Sequence, residues 1–342
     1  MKVAMYYNNN DVRLEEMPVP KIGEDEFLVK VKSSGICGSD VLEWYRIKTA
    51  PRVLGHEMAG EISEIGAKVK KYKKGDRVFV THHVPCNTCS FCLAGHNTAC
   101  DTLHHTNFEP GGFSEYIRIP AINVDRGTFL LPDSMSYDTA TFIEPLGCVV
   151  RAQRLANPAP GSSVLIIGSG ISGYLHLKLA KAFGMGRIIA SDINEFRLKK
   201  AKEFGADAVI NVSKENLKEN LLKNNENKLA DFIIVCTGAL KACESAFRCI
   251  APGGTILYFA VPNPGVDLPV PIADLWRNEI KIMTSYGAAP QDLEVALELL
   301  KSKRVVADDM ITHRLPLAEA GNGFKLVSGA GESIKVIIMP EK

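Results

Sequence analysis

The chain has 342 residues, of which 46% are hydrophobic and 23% are charged, and 40 basic against 39 acidic residues leave a formal net charge of +1. This composition is that of a folded globular protein with about two domains, and it excludes long disordered segments. The near-zero charge argues against nucleic acid or an anionic membrane as the main partner. No run approaches the roughly 18 apolar residues of a membrane helix, and residues 1–7 lack the apolar core of a secretory signal, so we expect a cytoplasmic protein.

Three regions follow one another along the chain. Residues 1–147 contain short apolar stretches interrupted by glycine and proline, which is typical of an irregular, β-rich, partly barrel-like domain. Residues 148–287 alternate apolar strands with amphipathic helices, which predicts a parallel, doubly wound sheet. Residues 288–342 are too few for a domain, and we expect their helix (293–301) and strand (336–339) to pack back onto the first domain.

The middle region is predicted to alternate strands with helices. The predicted strands are 163–168, 187–192, 208–211, 231–236, 255–260 and 281–286. The predicted helices are 170–183, 195–204, 214–223 and 239–250. The overall fold class is therefore α/β, with a β-rich domain followed by a doubly wound domain.

Four of the nine cysteines are clustered in the first domain. Cys86, Cys89, Cys92 and Cys100 follow a Cx2Cx2Cx7C spacing. In a chain without a secretory signal, such a cluster indicates metal ligands rather than disulfides. Four thiolates around one tetrahedral Zn²⁺ leave no open position, so the pattern predicts a structural zinc. An iron–sulfur cluster or free thiols are the alternatives, because a set of four cysteines does not by itself select the metal.

A second, scattered set of possible ligands comprises Cys37, His56, Glu57 and Glu144. Mixed ligation by thiolate, imidazole and carboxylate, with one exchangeable position, is what a catalytic zinc requires. Taken alone, this set is weak evidence for a catalytic zinc, because a single cysteine near glycine or a single Gly-His-Glu run more often has a structural role.

A glycine-rich turn, Gly168-Ser169-Gly170-Ile171-Ser172-Gly173, joins a predicted strand to a predicted helix. This is the context in which GxGxxG binds a dinucleotide, with the pyrophosphate at the helix N-terminus. Asp192 lies 19 residues after Gly173, at the end of the next predicted strand. A carboxylate there would accept the ribose hydroxyls and repel a 2′-phosphate, which favours NAD over NADP. The alternative is a glycine-rich turn of an unrelated α/β fold, with Asp192 as a helix cap.

These motifs together resemble the zinc-dependent medium-chain alcohol dehydrogenases, and most closely their polyol (sorbitol-type) and threonine dehydrogenase branch. The similarity runs in order over nearly the whole chain. It is carried by Gly35-Ile36-Cys37-Gly38-Ser39-Asp40, Gly55-His56-Glu57, the four-cysteine segment, Gly111-Gly112-Phe113, Glu115-Tyr116, Glu144-Pro145-Leu146, the GxGxxG turn and Cys236-Thr237-Gly238.

The resemblance implies a GroES-like catalytic domain (1–147, with the return of 288–342) and a Rossmann coenzyme domain (148–287), with the active site in the cleft between them. It implies a catalytic zinc on Cys37, His56 and Glu144, with Glu57 as a fourth ligand that exchanges with water or substrate. Cys148 competes with Glu144, because four residues along a helix place both side chains on one face.

The resemblance also assigns the proton path. Ser39 is expected to take the alcohol proton, and Asp40 to orient His56. Leu42 replaces a histidine that many relatives use to pass the proton onward, so the relay must take another route. His83 is a possible substrate-side residue, with a polar loop residue near the cysteines as the alternative.

The resemblance therefore predicts two zinc ions per chain, NAD as coenzyme and a secondary alcohol as substrate, most simply a polyol or sugar. The predicted coenzyme contacts are Gly168, Gly170, Ile171, Ser172, Gly173, Asp192, Arg197 and Thr237. A threonine-type amino-alcohol dehydrogenase is the alternative enzyme, and a non-catalytic zinc-binding paralogue is the alternative of another class. Relatives of this branch are often homotetramers, so we expect a homo-oligomer.

Overall fold

A computed structural model describes residues 1–341. The chain divides into two compact units, one formed by Met1–Gly147 with Ala288–Lys342 and the other by Cys148–Gly287. No helix formed by residues 1–341 combines the length and the apolar content needed to span a bilayer.

The first unit is built on two β-sheets. Its long strand Phe27–Gly35 pairs antiparallel with Glu57–Ile65 and with the late strand Lys335–Met339. The C-terminal segment that starts at residue 288 therefore packs back onto the first unit, as the sequence predicts. The seven-stranded sheet has the order Ile311–Pro316, Lys335–Met339, Phe27–Gly35, Glu57–Ile65, Arg77–Val80 and Thr128–Leu130, with Tyr116–Ile119 also pairing with Phe27–Gly35. The three-stranded sheet has the order Asp11–Glu16, Lys2–Asn8 and Arg52–Val53.

The α-helices outside the second unit are mostly short. The helix predicted at 293–301 begins three residues earlier, at Pro290, because proline at the first helical position needs no N–H partner. The helices are Glu43–Arg46, Ser90–Leu93, Asp101–His105, Ala121–Arg126, Tyr137–Ala140, Pro290–Lys301 and Ala320–Ser328, while Ile143–Ala156 continues across the boundary into the second unit.

The second unit is a six-stranded, wholly parallel sheet with connecting helices, as predicted. If its strands are numbered along the chain, their order is 3-2-1-4-5-6, which is the arrangement of dinucleotide-binding folds. The first strand is buried along its whole length, as a strand covered on both faces must be. In spatial order the strands are Ala208–Asn211, Ile188–Asp192, Val164–Ile167, Ala230–Val235, Ile250–Tyr258 and Lys281–Thr284. The helices are Ile171–Ala182, Glu195–Glu203, Leu217–Asn224, Leu240–Cys249 and Ile272–Arg277.

The largest difference from the predicted bounds in this sheet is at the start of its fifth strand along the chain, while the other strands begin or end within two residues of their predicted bounds. The strand predicted at 255–260 runs over Ile250–Tyr258. Its first residue already pairs with Ala230, and a register shift follows before regular pairing resumes at Thr255. The Pro-Gly-Gly run at 252–254 signals a turn in the sequence, but here it forms the irregular part of the strand.

Candidate functional site

The four clustered cysteines converge, with their sulfur atoms all within 4.8 Å of one another. The Sγ atoms of Cys89 and Cys92 are 3.5 Å apart and those of Cys86 and Cys100 are 3.6 Å apart. These separations are close to the value of about 3.8 Å that tetrahedral geometry with Zn–S bonds of about 2.3 Å requires. All four cysteines are free thiols rather than disulfides, so the donor set fits one tetrahedral soft metal ion.

Local backbone geometry shapes this cysteine cluster. Cys86 Sγ accepts N–H bonds from Thr88 at 3.4 Å and Cys89 at 3.3 Å, and bonding to Thr88 is the main reason that its pKa falls to about 5. Burial and then the neighbouring Cys89 raise the pKa of Cys92 to about 12. The only other buried apolar residue packed with the cluster, within residues 1–341, is Leu103. A bound metal would therefore replace most of the core that this segment lacks.

The second group of ligand atoms joins Cys37, His56 and Glu57, again within 4.8 Å of one another. Strand pairing explains why residues so far apart in sequence meet. Gly35 is paired with Glu57 across the two central strands. Cys37 caps the short 3₁₀ turn that leaves the first of these strands, and His56 immediately precedes the second.

Asp40 is completely buried beneath this group. It lies 3.4 Å from His56 Nδ1 and accepts the backbone N–H of Cys37 at 3.1 Å. Burial raises the pKa of Asp40, but the neighbouring His56 and Arg46 outweigh it and lower that pKa. Burial likewise opposes a charge on His56, but Asp40 and Cys37 outweigh it and raise the pKa of His56 well above its usual value. An environment that favours a proton on His56 also favours a metal cation there.

Arg46, at the end of the short helix Glu43–Arg46, contacts Ser39, the predicted acceptor of the alcohol proton. Its Nη2 donates to Ser39 Oγ at 3.0 Å, and its Nε donates to the Ser39 carbonyl at 3.0 Å. The same guanidinium lies 3.3 Å from Asp40, with its side chain only 14% exposed. The hydroxyl and the carbonyl of Ser39 are therefore both held by Arg46, a cation that also contacts the buried carboxylate of Asp40.

Glu57 has a partner that sequence reasoning missed. Its Oε2 forms a short ion pair with Lys335 Nζ, and both residues are 1% exposed. A Cβ atom at Gly35 would lie 2.5 Å from Glu57 Oε2 and 2.5 Å from Lys335 Cε, so only glycine leaves room for this pair. The signal in the sequence that could have indicated this partner was Lys335, a lysine directly before the apolar run 336–339.

Glu144 is buried in the first turn of the helix Ile143–Ala156. Cys148 lies four residues later on the same helix and is partly buried. The group within 4.8 Å consists of Cys37, His56 and Glu57, and the assignment of Glu144 as a zinc ligand stays a prediction.

Two adjacent histidines extend the site on the side of His56. The His82 ring is centred 4.8 Å from His56 and 3.7 Å from His83. Burial first, and then the positive neighbours, lowers the pKa of His82 well below its usual value and that of His83 to about 3. His83 was the predicted substrate-side residue, but His82, which sequence reasoning missed, has its ring against His56.

In the second unit, the glycine-rich turn has the shape the motif predicts. Gly168 has φ +98°, a backbone conformation that favours glycine. A Cβ at Gly173 would lie 2.1 Å from the Gly168 carbonyl oxygen, whereas a Cβ at Gly170 would meet nothing within 4 Å. The third glycine thus permits close packing, and the second opens space beside the start of the helix Ile171–Ala182, which no side chain caps.

This turn sits where the strand order of the sheet reverses. Cys236 donates its N–H to Ile167 at 2.8 Å, which brings the partly exposed Thr237 beside Gly168. Ligands of doubly wound sheets bind at this reversal point. Ser172 and Arg197 are partly exposed, and Arg197 accepts a hydrogen bond from Tyr174 at its carbonyl.

Asp192 ends the second strand of the sheet and is 9% exposed. Its carboxylate accepts backbone N–H bonds from Ser169 at 2.7 Å, Ile193 at 2.8 Å and Asn194 at 2.9 Å. A carboxylate offers about four acceptor positions, so about one remains for a ligand hydroxyl. Asp192 also ties the glycine turn to the strand, and the cap of the following helix is Asn194 instead.

Two family models match the chain. Residues 23–128 match the alcohol dehydrogenase GroES-like domain, and residues 173–302 match the zinc-binding dehydrogenase domain. The first match lies within the first structural unit, whereas the second covers most of the second unit and extends into residues 288–302 of the first unit.

Individual proteins match nearly the full length. A sorbitol dehydrogenase of Bacillus subtilis is 32% identical, with 100% of this chain and 98% of that protein covered. The structure of galactitol-1-phosphate dehydrogenase from Escherichia coli superposes with a TM-score of 0.88 at 29% identity, covering 99% of this chain and 100% of the other. A zinc-binding dehydrogenase of Sinorhizobium meliloti, bound to NADP, superposes with a TM-score of 0.88 at 26% identity and 99% coverage of both chains.

Proposed function

This chain belongs to the zinc-dependent medium-chain polyol dehydrogenases, and from that membership we propose that it transfers a hydride between NAD and a secondary alcohol of a polyol or sugar. The observation that carries the proposal is the convergence of Cys37, His56 and Glu57 within 4.8 Å, with Ser39 two residues from the cysteine. A thiolate, an imidazole and a carboxylate are the donors of a catalytic rather than a structural zinc.

Cys37 and His56, with Glu144 as third ligand and Glu57 as the exchangeable one, would hold this zinc. A zinc ion held there supplies Lewis acidity, which lowers the pKa of a substrate hydroxyl. Asp40 fixes the orientation of His56 through Nδ1. The second predicted zinc, on Cys86, Cys89, Cys92 and Cys100, would have a structural role.

Ser39 is the proposed acceptor of the alcohol proton. Its Oγ already accepts an N–H bond from Arg46, which leaves a second lone pair for the substrate hydroxyl and its own proton free to be donated onward. Leu42 is apolar and 42% exposed, so residue 42 takes no part in that onward transfer. The positive charge on Arg46 stabilises the negative charge that develops on the Ser39 oxygen when Ser39 passes its own proton on.

The glycine turn and Asp192 would hold the coenzyme, and bound NAD supplies the hydride acceptor. The remaining acceptor position on Asp192 suits a ribose hydroxyl, and the negative charge opposes a 2′-phosphate. The support for NAD rather than NADP is this carboxylate, together with the three backbone donors that hold it in place. Gly168, Gly170, Ile171, Ser172, Gly173, Arg197 and Thr237 complete the proposed coenzyme site.

The decisive experiment is coenzyme reduction by the purified protein with a panel of polyols, threonine and simple secondary alcohols. We expect NAD-linked oxidation of a polyol. Turnover of threonine alone would establish the amino-alcohol alternative. If the protein carries both zinc ions but oxidises no compound of the panel, it is the non-catalytic paralogue.

We also propose a cytoplasmic homo-oligomer, a tetramer by resemblance, that contacts neither nucleic acid nor membranes. An apolar patch beside the edge strand Lys281–Thr284 supports self-association: Ile272 is 70% exposed and Trp276 is 81% exposed. Edge strands with exposed apolar neighbours commonly pair with a second chain. Light scattering of the wild type and of Trp276→Arg tests this, and we expect the variant to form smaller species. An unchanged mass would place the interface elsewhere.

A further inference from the structure

His82 is a histidine that lies against the proposed catalytic metal site but takes no part in the proton path through Ser39. Its ring is centred 4.8 Å from the ring of His56, which is a contact distance for aromatic rings. Asp40 lies 3.4 Å from His56 Nδ1, so the nitrogen of His56 that remains for a metal is Nε2. A side chain in ring contact with such a ligand lies within reach of a substrate that binds there.

The backbone and the ring of His82 are both held in place by their surroundings. The completely buried Asn123 donates from Nδ2 to the carbonyl of Thr81 at 2.8 Å and to that of His82 at 3.0 Å. The His82 ring also packs on the His83 ring at 3.7 Å between centroids, and edge-to-face against Phe108 at 6.3 Å. A binding group fixed in this way loses little freedom when a ligand reaches it.

The two ring nitrogens of His82 have different surroundings. Nδ1 is enclosed and has no hydrogen-bond partner among residues 1–341. Nε2 forms no hydrogen bond within that range either, but it is not enclosed, and the residue is partly exposed. A neutral imidazole has one N–H donor and one acceptor, and a buried N–H without a partner is rarer in proteins than a buried acceptor without one. The proton of the neutral ring therefore lies on Nε2, which is accessible to a ligand.

Resting on the proposed function, we propose that His82 selects substrates with a hydroxyl group on the carbon next to the reacting one, by donating a hydrogen bond from Nε2 to that neighbouring hydroxyl. The two oxygens of a vicinal diol are attached to bonded carbons. When the reacting hydroxyl lies at the ligand group of Cys37, His56 and Glu57, the second hydroxyl therefore lies among the side chains that contact this group. A polyol or sugar has such a neighbouring hydroxyl, whereas a simple secondary alcohol does not and forgoes this hydrogen bond.

The test compares propylene glycol with isopropanol, which has the same carbon chain and lacks only the neighbouring hydroxyl. Both are oxidised with NAD at about pH 8, where an ordinary histidine is neutral. In the wild type we expect kcat/KM to be at least about tenfold higher for the glycol. His82→Phe keeps a ring against His56, and it should lower kcat/KM for the glycol by about 10- to 100-fold and change that for isopropanol by less than about threefold. If only longer polyols are oxidised, the inhibition constants of the two compounds against a hexitol give the same comparison.

Two further variants test which nitrogen of His82 acts. The amide of His82→Gln can occupy the position of Nε2, so we expect this variant to recover part of the preference for the glycol. The amide of His82→Asn reaches only the position of Nδ1, and we expect no recovery. His313→Phe is the matched control, because His313 is a partly exposed histidine on the strand Ile311–Pro316 of the same unit, and it should leave both values unchanged.

Three results would overturn the proposal. They are a wild type without preference for the glycol, an equal loss on both compounds in His82→Phe, and a lost preference in His83→Phe but not in His82→Phe, which would assign the contact to His83. Nitrogen-15 NMR of histidine-labelled protein provides a measurement independent of turnover, and a proton found on Nδ1 of His82 would also refute the reasoning. Failure of the proposed function looks different, because no polyol would then reduce NAD, and this result would overturn both proposals.

Discussion

Removing the amino group of Lys335 should destabilise the first unit strongly. In protein stripped of zinc, Lys335→Met leaves the carboxylate of Glu57, which is 1% exposed, without the cation that faces it. Breaking a buried ion pair from one side typically costs about 3–5 kcal/mol, because the remaining charge stays buried. Methionine fills most of the space of the lysine stem, so lost packing should add little.

Because each unit contains one of the two tryptophans of the chain, the unfolding of each unit can be measured separately. Trp44 lies in the first unit and Trp276 in the second. In a Trp276→Phe background, urea unfolding followed by fluorescence reports the first unit through Trp44. We expect Lys335→Met to lower the free energy of unfolding by about 3–5 kcal/mol. Lys301→Met is the control, since its exposed pair with Glu298 should be worth less than about 1 kcal/mol.

A double variant separates the ion pair from simple packing. Lys335→Met with Glu57→Gln removes both charges, so its cost should be smaller than the sum of the two single variants by about 2 kcal/mol or more. If Lys335→Met costs less than about 1 kcal/mol, or if the two substitutions are additive, the buried pair does not stabilise the protein and the reasoning is wrong.

The remaining predictions concern the coenzyme, the two zinc sites and a buried histidine. Asp192→Ala should weaken NAD binding by about 10- to 100-fold and relatively improve the use of NADP. Comparison of kcat/KM for both coenzymes checks this, and a wild type that prefers NADP would refute it. Cys37→Ala should stay folded, lose one zinc by metal analysis and lose about a thousandfold in kcat/KM, whereas near-normal activity without that zinc would contradict the mechanism. Cys89→Ser should lower the melting temperature and release about one zinc; unchanged stability with slower hydride transfer would show the site is not structural. Burial lowers the pKa of His176 to about 3, so as the pH falls below about 6.5 this histidine binds a proton in the unfolded chain but not in the folded one. The free energy of unfolding should therefore decrease, by about 2 kcal/mol between pH 7 and pH 5. His176→Gln should remove that part of the pH dependence in urea titrations, and an unaltered slope would show that His176 is not its source.

Much of the fold could be predicted from the sequence because it depends on local periodicity. The strand Ala208–Asn211 has its predicted bounds, and the apolar run Val164–Ile167 is a strand buried on both faces. The glycine turn was recognisable for the same reason, since its strand, turn and helix are contiguous. The cysteine cluster is equally local, with all four ligands between residues 86 and 100.

Only the tertiary structure decided which distant charges meet. Glu57 and Lys335 are 278 residues apart, and they pair because a late strand joins the first strand of the sheet. No periodic pattern encodes such a pairing, since it depends on the order of strands in the sheet. The three backbone donors of Asp192 and the reach of Arg46 back to Ser39 depend on side-chain direction at a turn, which residue spacing does not specify. Sequence thus determined the fold class and the ligand types, whereas the packing of distant strands determined the electrostatic environment in which those ligands act.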